Sequence, residues 1–556
     1  MWPNFTLRRR RRPRTAVGET PVATDFRSQG DAARDAADWP AAAAAYRRHL
    51  EIAPDDGDIW VQYGHALKEA GDAAGATEAY RCASRLPESE AEGLFQLGLS
   101  LRKDGRGEEA TLALEKALEL SPRFDIHQAL GEDAPIPRPL TGLGRRTLVL
   151  DVTDLLSFLI AHGFPTGIQR VQLGLMAAVL RSDASVWPYF EAVHFTFAEH
   201  GRPWRLKTAD LFAILRYVEE ETVDVTEARR LTYQAKRGGV CTTWSAGSAY
   251  LVLGAFWADG GLGPLQRFVG ARGAVFGVLV HDLFAVTMPE LCQEGAVETF
   301  EAQLRAGLQT WDFVVTNSEA TAKDVRRYLA ERLPGRAVPV IATALAHDFA
   351  TRPRESRAPT AAPLPEAVRD RRFVLSVGTI EPRKNYPALL DAWSALARRR
   401  ADLPQLVIVG RPGWRSDTVV EQLRRGAAPG VLWLEDMSDA QLDALYRGCL
   451  FTVFPSLAEG WGLPIGEALV RGKVCVASAS SAMPEASGGL AVHFDPDDNQ
   501  SLEKAIETLL YDPAALAACE AKIRTGFRAR TWIDVARAVM TGVAAVVVGS
   551  SRPAGG

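Results

Sequence analysis

Short apolar runs alternate with longer amphipathic stretches over most of the chain beyond residue 146. Near-continuous apolar runs of this length are typical of parallel strands that are buried on both faces of a sheet. The helical spacing of apolar residues between the runs predicts helices that cover those faces. The chain is therefore predicted to contain α/β domains with parallel sheets. The clearest runs are TLVLDV, SAYLVLGAFW, AVFGVLV and DFVVT, followed further along by FVLSV, QLVIV, CLFTVF and VCVAS.

The first part of the chain has a different pattern, a self-similarity with a period of 34 residues. A small residue recurs where two helices cross closely, and an aromatic or aliphatic residue recurs where it fills the crossing. This pattern resembles tetratricopeptide repeats, and three copies over residues 23–124 are enough to bury a continuous core. The region is read as a docking surface for a protein partner or as a structural cap on the catalytic part. The positions in register are Gly30, Gly64 and Gly98, then Ala42, Ala76 and Ala110, and then Tyr46, Tyr80 and Leu114.

Composition places the chain among ordinary globular proteins with several domains. With 556 residues, 47% apolar and 24% charged, it is too long for a single core. A formal charge of −4 argues against a dedicated binder of nucleic acid or another polyanion. The six cysteines are scattered without metal-binding spacing, which favours a reducing compartment and no structural zinc.

Membrane contact is predicted only at the surface. No run approaches the roughly 20 uninterrupted apolar residues of a spanning helix, and no signal peptide is recognisable. Six arginines stand within Arg8–Arg14, which indicates a solvated arm or a site of attraction to an anionic membrane surface. A cytoplasmic protein with peripheral contact at the inner membrane is the expectation.

Two carboxylates eight positions apart mark the stretch with the most chemistry, FPSLAEGWGLPIGEAL at residues 454–469. Glu459 stands on a loop after a predicted strand, and Glu467 falls about one turn into a predicted helix. The helical pattern begins at Pro464, and the backbone N–H groups around Gly462 and Leu463 are predicted to face a phosphate-bearing ligand. A nucleotide-sugar, with its ribose, diphosphate and hexose, matches this layout. The alternative is that both glutamates are ordinary solvated charges.

This segment resembles the E-x7-E motif of retaining glycosyltransferases of family 4, which have the GT-B fold. The resemblance implies two Rossmann-like domains that face each other across a cleft, preceded here by the all-α repeat region. It assigns Glu467 to the ribose hydroxyls and Glu459 to the hexose of the donor. The sequence GTIEPRKN resembles the donor diphosphate loop of the same family, which assigns Gly378, Arg383 and Lys384 to the diphosphate. These cations imply a reaction without a metal ion or other cofactor.

The resemblance extends to the domain that receives the acceptor. Gly167, in the TGIQRV turn after the first strand, is implied to allow close approach of the donor diphosphate. Arg170 is read either as a local ion-pair partner or as a contact to an acceptor phosphate. His281, in the HDL segment, is implied to contact the transferred sugar, with a structural histidine as the alternative.

Domain boundaries follow from the composition shifts and from the resemblance, which covers residues of about 148 to 545. The last part, RTWIDVARAVM, resembles the helix that returns to the first Rossmann-like domain in relatives. The predicted segments are a basic arm (1–22), three repeats (23–124), a linker (125–146), an N-terminal acceptor domain (147–350), a linker (351–371), a C-terminal donor domain (372–530), and a crossover helix with a tail (531–556).

The sequence thus predicts transfer of a hexose from a nucleoside diphosphate to a saccharide or a lipid-linked saccharide, in polysaccharide or glycan biosynthesis. Two other classes stay open. One is a repeat scaffold with a degenerate transferase half, and the other is a different GT-B enzyme such as a phosphorylase or an epimerase.

Overall fold

A computed structural model describes ten parts of the chain, and they form two compact units divided between residues 139 and 140. The arginines Arg8–Arg14 and most of both predicted linkers lie outside the described residues. The described residues are 21–131, 146–183, 187, 189–220, 224–242, 244–258, 261–293, 295–347, 362–426 and 429–550.

The first unit consists of antiparallel helix pairs, as the repeat predicts. Each pair crosses at a glycine of the 34-residue register, and a Cβ atom at any of these glycines would overlap the side chain that fills the crossing. Tyr46, Tyr80 and Leu114 are those side chains, and all three are buried. The unit is therefore tetratricopeptide-like. Its helices are α1 (Pro21–Asp35), α2 (Trp39–Ile52), α3 (Gly57–Glu69), α4 (Ala73–Ala83), α5 (Glu90–Lys103), α6 (Gly107–Leu120) and α7 (Phe124–Leu130).

Helix α7 begins at the last residue of the predicted repeat region and continues into the predicted linker (125–146). Phe124 and Ile126 are buried, and Ile126 belongs to the same apolar cluster as Leu114 and Leu118 of α6. Helix α7 thus covers apolar residues of α6 in the third helix pair. Burial of this kind overrides a weak local signal in so short a helix, so residues 125–130 of the predicted linker (125–146) are helical.

The second unit contains two sheets, and the first has eight strands in the order β4-β3-β2-β1-β5-β6-β7-β8. Strand β3 runs antiparallel to both β2 and β4, and the other neighbours are parallel. The strands are β1 (Thr147–Asp151), β2 (Ala192–Glu199), β3 (Arg202–Arg205), β4 (Val240–Cys241), β5 (Ala249–Val252), β6 (Val275–Val280), β7 (Phe313–Thr316) and β8 (Val340–Ala342).

Eight helices belong to this N-terminal lobe, among the residues that the structure describes. They follow the strands in the alternating pattern of an α/β fold. The helices are α8 (Thr153–His162), α9 (Gly167–Arg181), α10 (Thr208–Glu219), α11 (Val225–Arg237), α12 (Gly263–Gly270), α13 (Phe284–Thr287), α14 (Ala296–Leu308) and α15 (Glu319–Arg332).

The second sheet, in the C-terminal lobe, is parallel throughout and has the order β11-β10-β9-β12-β13-β14. Numbered from its own first strand, this is the 3-2-1-4-5-6 order of the Rossmann fold, in which ligands bind where the strand order reverses. The reversal lies between β9 and β12. The strands are β9 (Phe373–Val377), β10 (Gln405–Val409), β11 (Val431–Leu434), β12 (Thr452–Phe454), β13 (Cys475–Ser478) and β14 (Val492–Phe494).

The α-helices of the C-terminal lobe begin after the loop that follows β9. They are α16 (Tyr386–Arg399), α17 (Asp417–Arg424), α18 (Asp439–Gly448), α19 (Leu463–Val470), α20 (Met483–Ser487), α21 (Asn499–Tyr511) and α22 (Pro513–Gly526), and α23 (Trp532–Ser550) ends the described chain.

Helix α23 returns to the N-terminal lobe, as the resemblance implies. The indole of Trp532 packs against α9 at Gly174, where a Cβ atom would overlap the ring. Gly542 allows the same close approach to Ile341 of β8. By length and composition α23 is apolar enough to cross a membrane, but one face of it, including Val535, Val539 and Val543, is buried within the fold.

Candidate active site

Glu459 lies between two cations at the point where the strand order of the C-terminal sheet reverses. One of its carboxylate oxygens is 2.7 Å from Nη1 of Arg383, and the other is 2.6 Å from Nζ of Lys384. The two cations follow β9, and Glu459 follows β12. The sequence gives no local link between residues 75 positions apart, and the parallel sheet brings them together because both loops leave the same edge.

The loop that carries the cations has a fixed shape. Pro382–Lys384 form a single 3-10 turn, which Asn385 ends in the left-handed conformation with φ of 53°. Asparagine tolerates this conformation better than most residues do. The loop is then bonded to the glutamate loop, because Nη1 of Arg383 donates to the carbonyl of Ala458 at 2.8 Å. The amide of Leu457 donates in return to the carbonyl of Arg383, also at 2.8 Å.

The ion pairs are almost fully shielded from water. The side chains of Glu459, Arg383 and Lys384 are 10%, 14% and 13% exposed. Burial raises the pKa of Glu459, but the charges and hydrogen bonds of Arg383 and Lys384 outweigh burial and lower that pKa to about 2. Burial lowers the pKa of Arg383, yet Glu459 and Glu381 leave it above its ordinary value. Glu459 and Arg383 are therefore charged at neutral pH.

Two further carboxylates surround Arg383, and the predicted site does not include them. Oε1 of Glu381 accepts from Nη2 of Arg383 at 2.7 Å, and Asp282 of the N-terminal lobe lies close enough to interact electrostatically with the guanidinium. Burial raises the pKa of both carboxyls, and Arg383 opposes that rise. Glu381 stands two positions before Arg383 and was open to prediction, whereas the contact with Asp282 depends on how the lobes meet.

Arg383 also touches the other lobe through an aromatic ring. Its guanidinium carbon lies 4.7 Å from the centre of the Phe284 ring, and Nζ of Lys384 lies 5.0 Å from the ring of Phe454. Cations are attracted to the face of such rings. The two aromatic contacts hold both side chains in place.

Glu467 lies in the first turns of α19 and is 5% exposed. One of its oxygens accepts a hydrogen bond of 2.6 Å from the hydroxyl of Tyr446, on α18. Burial and the charge of Glu467 raise the pKa of Tyr446 well above its ordinary value, so the phenol keeps its proton and acts as donor. Glu467 is thus fixed in direction before any ligand is considered.

The start of α19 takes the form that the glycine turn predicts. Gly462 is the N-cap residue with φ of 98°, a conformation that favours glycine. Leu463 is the first helical residue, and Pro464 follows at a position where proline is favoured because its missing N–H costs no helical bond. The amide of Ile465 donates to the carbonyl of Gly462 at 3.1 Å, so the N–H groups that this helix start offers to a ligand are those of Gly462 and Leu463.

His281 follows β6 and is 4% exposed. Its Nε2 lies 2.8 Å from the carbonyl of Leu253, and because a carbonyl only accepts, Nε2 carries the proton. Burial lowers the pKa of His281, so the ring is neutral at physiological pH and Nδ1 is its acceptor atom.

Gly460 of the C-terminal lobe lies against the N-terminal lobe. A Cβ atom on Gly460 would overlap the carbonyl oxygen of His281 and lie 2.9 Å from Nδ2 of Asn317. Only a residue without a side chain fits here. Because Gly460 follows Glu459 directly, this contact fixes the distance between Glu459 and the segment that contains His281.

The TGIQRV turn also meets the C-terminal lobe. Gly167 begins α9, the space around it is open, and Thr166 with Gln169 forms a capping box. Arg170 makes a two-pronged ion pair with Asp439 of α18, at 3.0 and 3.3 Å. This ion-pair partner is 269 positions away in sequence and is not a local one. The contact of Arg170 with an acceptor phosphate stays a prediction.

The structure brings together Glu459, Arg383 and Lys384 in direct contact, with His281 next to them across Gly460. Gly378 follows β9 directly, and its carbonyl accepts from the hydroxyl of Tyr386 at 2.8 Å. In the part of the chain that the structure describes, no cluster of three or more His, Cys, Asp or Glu residues is arranged to hold a metal ion.

Two contacting Rossmann-like lobes, with a cationic loop and a glutamate loop at the strand-order reversal, define the GT-B architecture of glycosyltransferases. Residues 364–526 match the profile of the family described as Glycosyl transferases group 1. This part of the chain is therefore a group 1 glycosyl transferase domain, and the resemblance to family 4 is confirmed.

Among characterised proteins the chain is similar to mannosyltransferases. The O-antigen chain mannosyltransferase B of Escherichia coli is 29% identical over 42% of this chain and 60% of its own length. The serotype-specific mannosyltransferase WbdA of Escherichia coli is 30% identical over 43% of this chain and 30% of its own length. The chain thus spans less than two thirds of the relatives it matches.

Solved structures also align with the chain. A mutant of the O-GlcNAc transferase of Thermobaculum terrenum aligns with 95% of this chain and 99% of its own, at 16% identity and a TM-score of 0.39. Sucrose-phosphate synthase of Thermosynechococcus elongatus aligns with 73% of this chain and 94% of its own, at 19% identity and a TM-score of 0.42. The fold assignment rests on the strand orders and strand directions given above.

Proposed function

We propose that this protein is a retaining glycosyltransferase that moves a hexose from a nucleoside diphosphate to a saccharide or lipid-linked saccharide in polysaccharide biosynthesis. The observation that carries the proposal is the buried contact of Glu459 with Arg383 and Lys384 at the strand-order reversal. Mannose is the first candidate for the hexose, because the similar proteins of Escherichia coli are mannosyltransferases.

The cations serve the departure of the leaving group. As the bond from the anomeric carbon to the diphosphate breaks, negative charge grows on the phosphate oxygens and must be stabilised in place. Arg383 binds such oxygens in two-pronged fashion, and Lys384 acts as a point charge. The N–H groups at the start of α19 add partial positive charge.

The carboxylates serve the two sugars of the donor. Glu467, oriented by Tyr446, is placed to accept hydrogen bonds from ribose hydroxyls. Glu459 remains ionised because its pKa is about 2, so it accepts from hexose hydroxyls and stabilises positive charge that develops at the anomeric carbon. His281 offers Nδ1 to another hydroxyl of the same hexose.

Retention of configuration follows most simply from attack on the face that the leaving group vacates. A covalent intermediate needs a carboxylate that is free to attack carbon. Glu459 is held by two cations, which lowers its nucleophilicity. The departing phosphate is then the group that receives the proton of the acceptor hydroxyl.

A panel of nucleotide-sugars tests the proposal. GDP- and UDP-linked mannose, glucose, galactose and N-acetylglucosamine are incubated with the full chain, and release of the nucleoside diphosphate is measured with and without saccharide acceptors. We expect turnover of one donor, a product of retained configuration, and a loss on the order of a hundredfold for Lys384→Ala. Absence of turnover with every donor contradicts the proposal.

The same assay separates the alternatives. A scaffold with a degenerate transferase half neither binds nor turns over a donor. A phosphorylase requires inorganic phosphate as acceptor, and an epimerase changes the sugar without releasing nucleoside diphosphate. The intact cluster of Glu459, Arg383 and Lys384 favours the transferase.

We also propose contacts with a protein partner and with a membrane, both made by parts of the chain outside the catalytic lobes. The tetratricopeptide-like unit offers a surface to a protein partner, and the arginines of Arg8–Arg14, which lie outside the described residues, would attract an anionic membrane where a lipid-linked acceptor is found. A cytoplasmic protein at the inner membrane is consistent with both.

A further inference from the structure

Asn317 has a buried polar atom whose position the fold alone does not explain. Its side chain is 5% exposed, and among the described residues Oδ1 has no hydrogen-bond partner. A buried amide oxygen without a partner is costly, and proteins rarely keep one without a reason. The next residue, Ser318, has an evident structural role, since its hydroxyl caps α15 by accepting from the amide of Thr321 at 3.0 Å.

The place of Asn317 in the fold supplies the reason. Asn317 follows β7, and His281 follows β6, the neighbouring parallel strand, so both residues leave the same edge of the sheet. Asn317 also meets the loop of Glu459, because a Cβ atom on Gly460 would lie 2.9 Å from Nδ2. Asn317 is therefore level with His281 at the sheet edge and lies against Gly460, the residue that follows Glu459.

We propose that Asn317 completes the hexose subsite, with its side-chain amide forming a hydrogen bond to one hydroxyl of the transferred sugar. The inference rests on the proposed function and extends it to a residue that determines sugar specificity. An amide suits this task because it both donates and accepts, and a sugar hydroxyl does the same. A donor that lacks the matching hydroxyl leaves the buried amide unpaired, which is a strong basis for discrimination.

The location favours the donor hexose over the acceptor. Gly460, the residue that touches Asn317, is adjacent to Glu459 in the chain, and Glu459 pairs with the cations of the diphosphate loop. The subsite is thus continuous with the proposed binding site for the donor. Hydrolysis of the donor, in which water is the only acceptor, isolates this contact from any contact with a saccharide acceptor.

The test pairs enzyme variants with donor analogues. GDP-mannose and its monodeoxy analogues are hydrolysed by the full chain and by Asn317→Ala, and kcat/KM is measured for each pair. We expect kcat/KM of the wild-type protein to be about tenfold lower for one analogue than for GDP-mannose. Asn317→Ala should lower kcat/KM for GDP-mannose about tenfold. For that same analogue it should cause no further decrease, because the contact is already absent. For each of the remaining analogues, kcat/KM should fall by the same factor in both proteins.

Thr343→Val is the matched control. Thr343 follows β8, the next strand of the same edge, and its hydroxyl is likewise buried without a partner among the described residues. Valine keeps the shape and removes the hydroxyl. We expect no preference among analogues to change in this variant. If Asn317→Ala does not fold, Asn317→Ser takes its place, because the shorter side chain withdraws the amide but keeps the site polar.

The outcomes are distinguishable. An equal loss on every donor, or no loss, shows that Asn317 is structural and overturns the inference while the proposed function stands. A loss that appears only with a saccharide acceptor also overturns it, since the contact then belongs to the acceptor. Absence of wild-type turnover with all nucleotide-sugars of the panel overturns the proposed function, and this inference with it.

Discussion

The ammonium group of Lys384 lies 2.6 Å from a carboxylate oxygen of Glu459, on a loop 75 residues away. Arg383 holds the other oxygen of the same carboxylate. Arg383 and Lys384 are proposed to bind the donor diphosphate, and Glu459 is proposed to bind the hexose. The two cations therefore share, as their counter-ion, a residue of the hexose site. Glu459 neutralises both cations and is also proposed to contact the donor. Donor binding is therefore coupled to the ion pairs of Glu459.

Glu459→Gln should separate binding from turnover. Removing the negative charge leaves both cations without their shared partner, which increases their attraction for a diphosphate. We expect GDP or UDP to bind several-fold more tightly by calorimetry, while donor hydrolysis falls on the order of a hundredfold. Glu503→Gln is the control, because Glu503 pairs with the surface residue Arg399. Weaker binding of both nucleotides by Glu459→Gln would contradict the coupling.

The pH dependence of stability should report on the same carboxylate. Folding lowers the pKa of Glu459 from about 4.5 to about 2. A depressed pKa stabilises the fold above pH 4.5, and this contribution is lost as the pH falls from there towards 2. It amounts to about 3 kcal/mol. Urea unfolding between pH 6 and pH 3 should therefore show a steeper loss for wild-type protein than for Glu459→Gln; equal slopes would argue against the low pKa.

Gly460→Ala should disturb the approach of the two lobes. The added methyl group would overlap the carbonyl of His281, and because backbone yields less readily than a side chain, the glutamate loop must shift. We expect kcat to fall by at least tenfold and the protein to lose about 1 to 3 kcal/mol of stability. Gly270→Ala is the matched control, since a Cβ atom there meets nothing within 4 Å. Unchanged kcat in Gly460→Ala would show that the loop adapts.

The ion pair of Arg170 and Asp439 should contribute modestly to the stability of the contact between the two lobes. The side chains are 30% and 24% exposed, so solvent screens them and removal of either should cost no more than about 1 kcal/mol. We expect Arg170→Asp to lower kcat/KM at low salt, and the exchanged pair Arg170→Asp with Asp439→Arg to restore it. Failure of the exchange to restore activity would indicate that Arg170 has another role.

The helix crossings of the first unit can be tested by themselves. A methyl group on Gly64 would overlap the ring of Tyr80, which is buried. We expect Gly64→Ala to destabilise that unit by about 1 to 3 kcal/mol in denaturant unfolding. Gly107→Ala, where a Cβ atom meets nothing within 4 Å, should leave stability unchanged or slightly raised. Donor hydrolysis should be insensitive to both changes.

Local pattern was sufficient for much of the architecture. The 34-residue register predicted the pairs of helices, because a glycine and the side chain that fills its crossing lie within one repeat. The glycine turn at Gly462 and the proline at Pro464 predicted the start of α19, because their backbone preferences are intrinsic. Helix α7 was missed because its formation depends on burial against α6.

The chain by itself determined which chemical groups are present and which loops carry them, since strands, glycine turns and helix starts are set by neighbouring residues. Only the tertiary structure decided which groups meet. Glu459 pairs with Lys384, Arg170 reaches Asp439, and Gly460 lies against His281 and Asn317. These contacts join segments far apart in sequence, and their geometry follows from strand order and from the packing of one lobe on the other, which no local preference encodes.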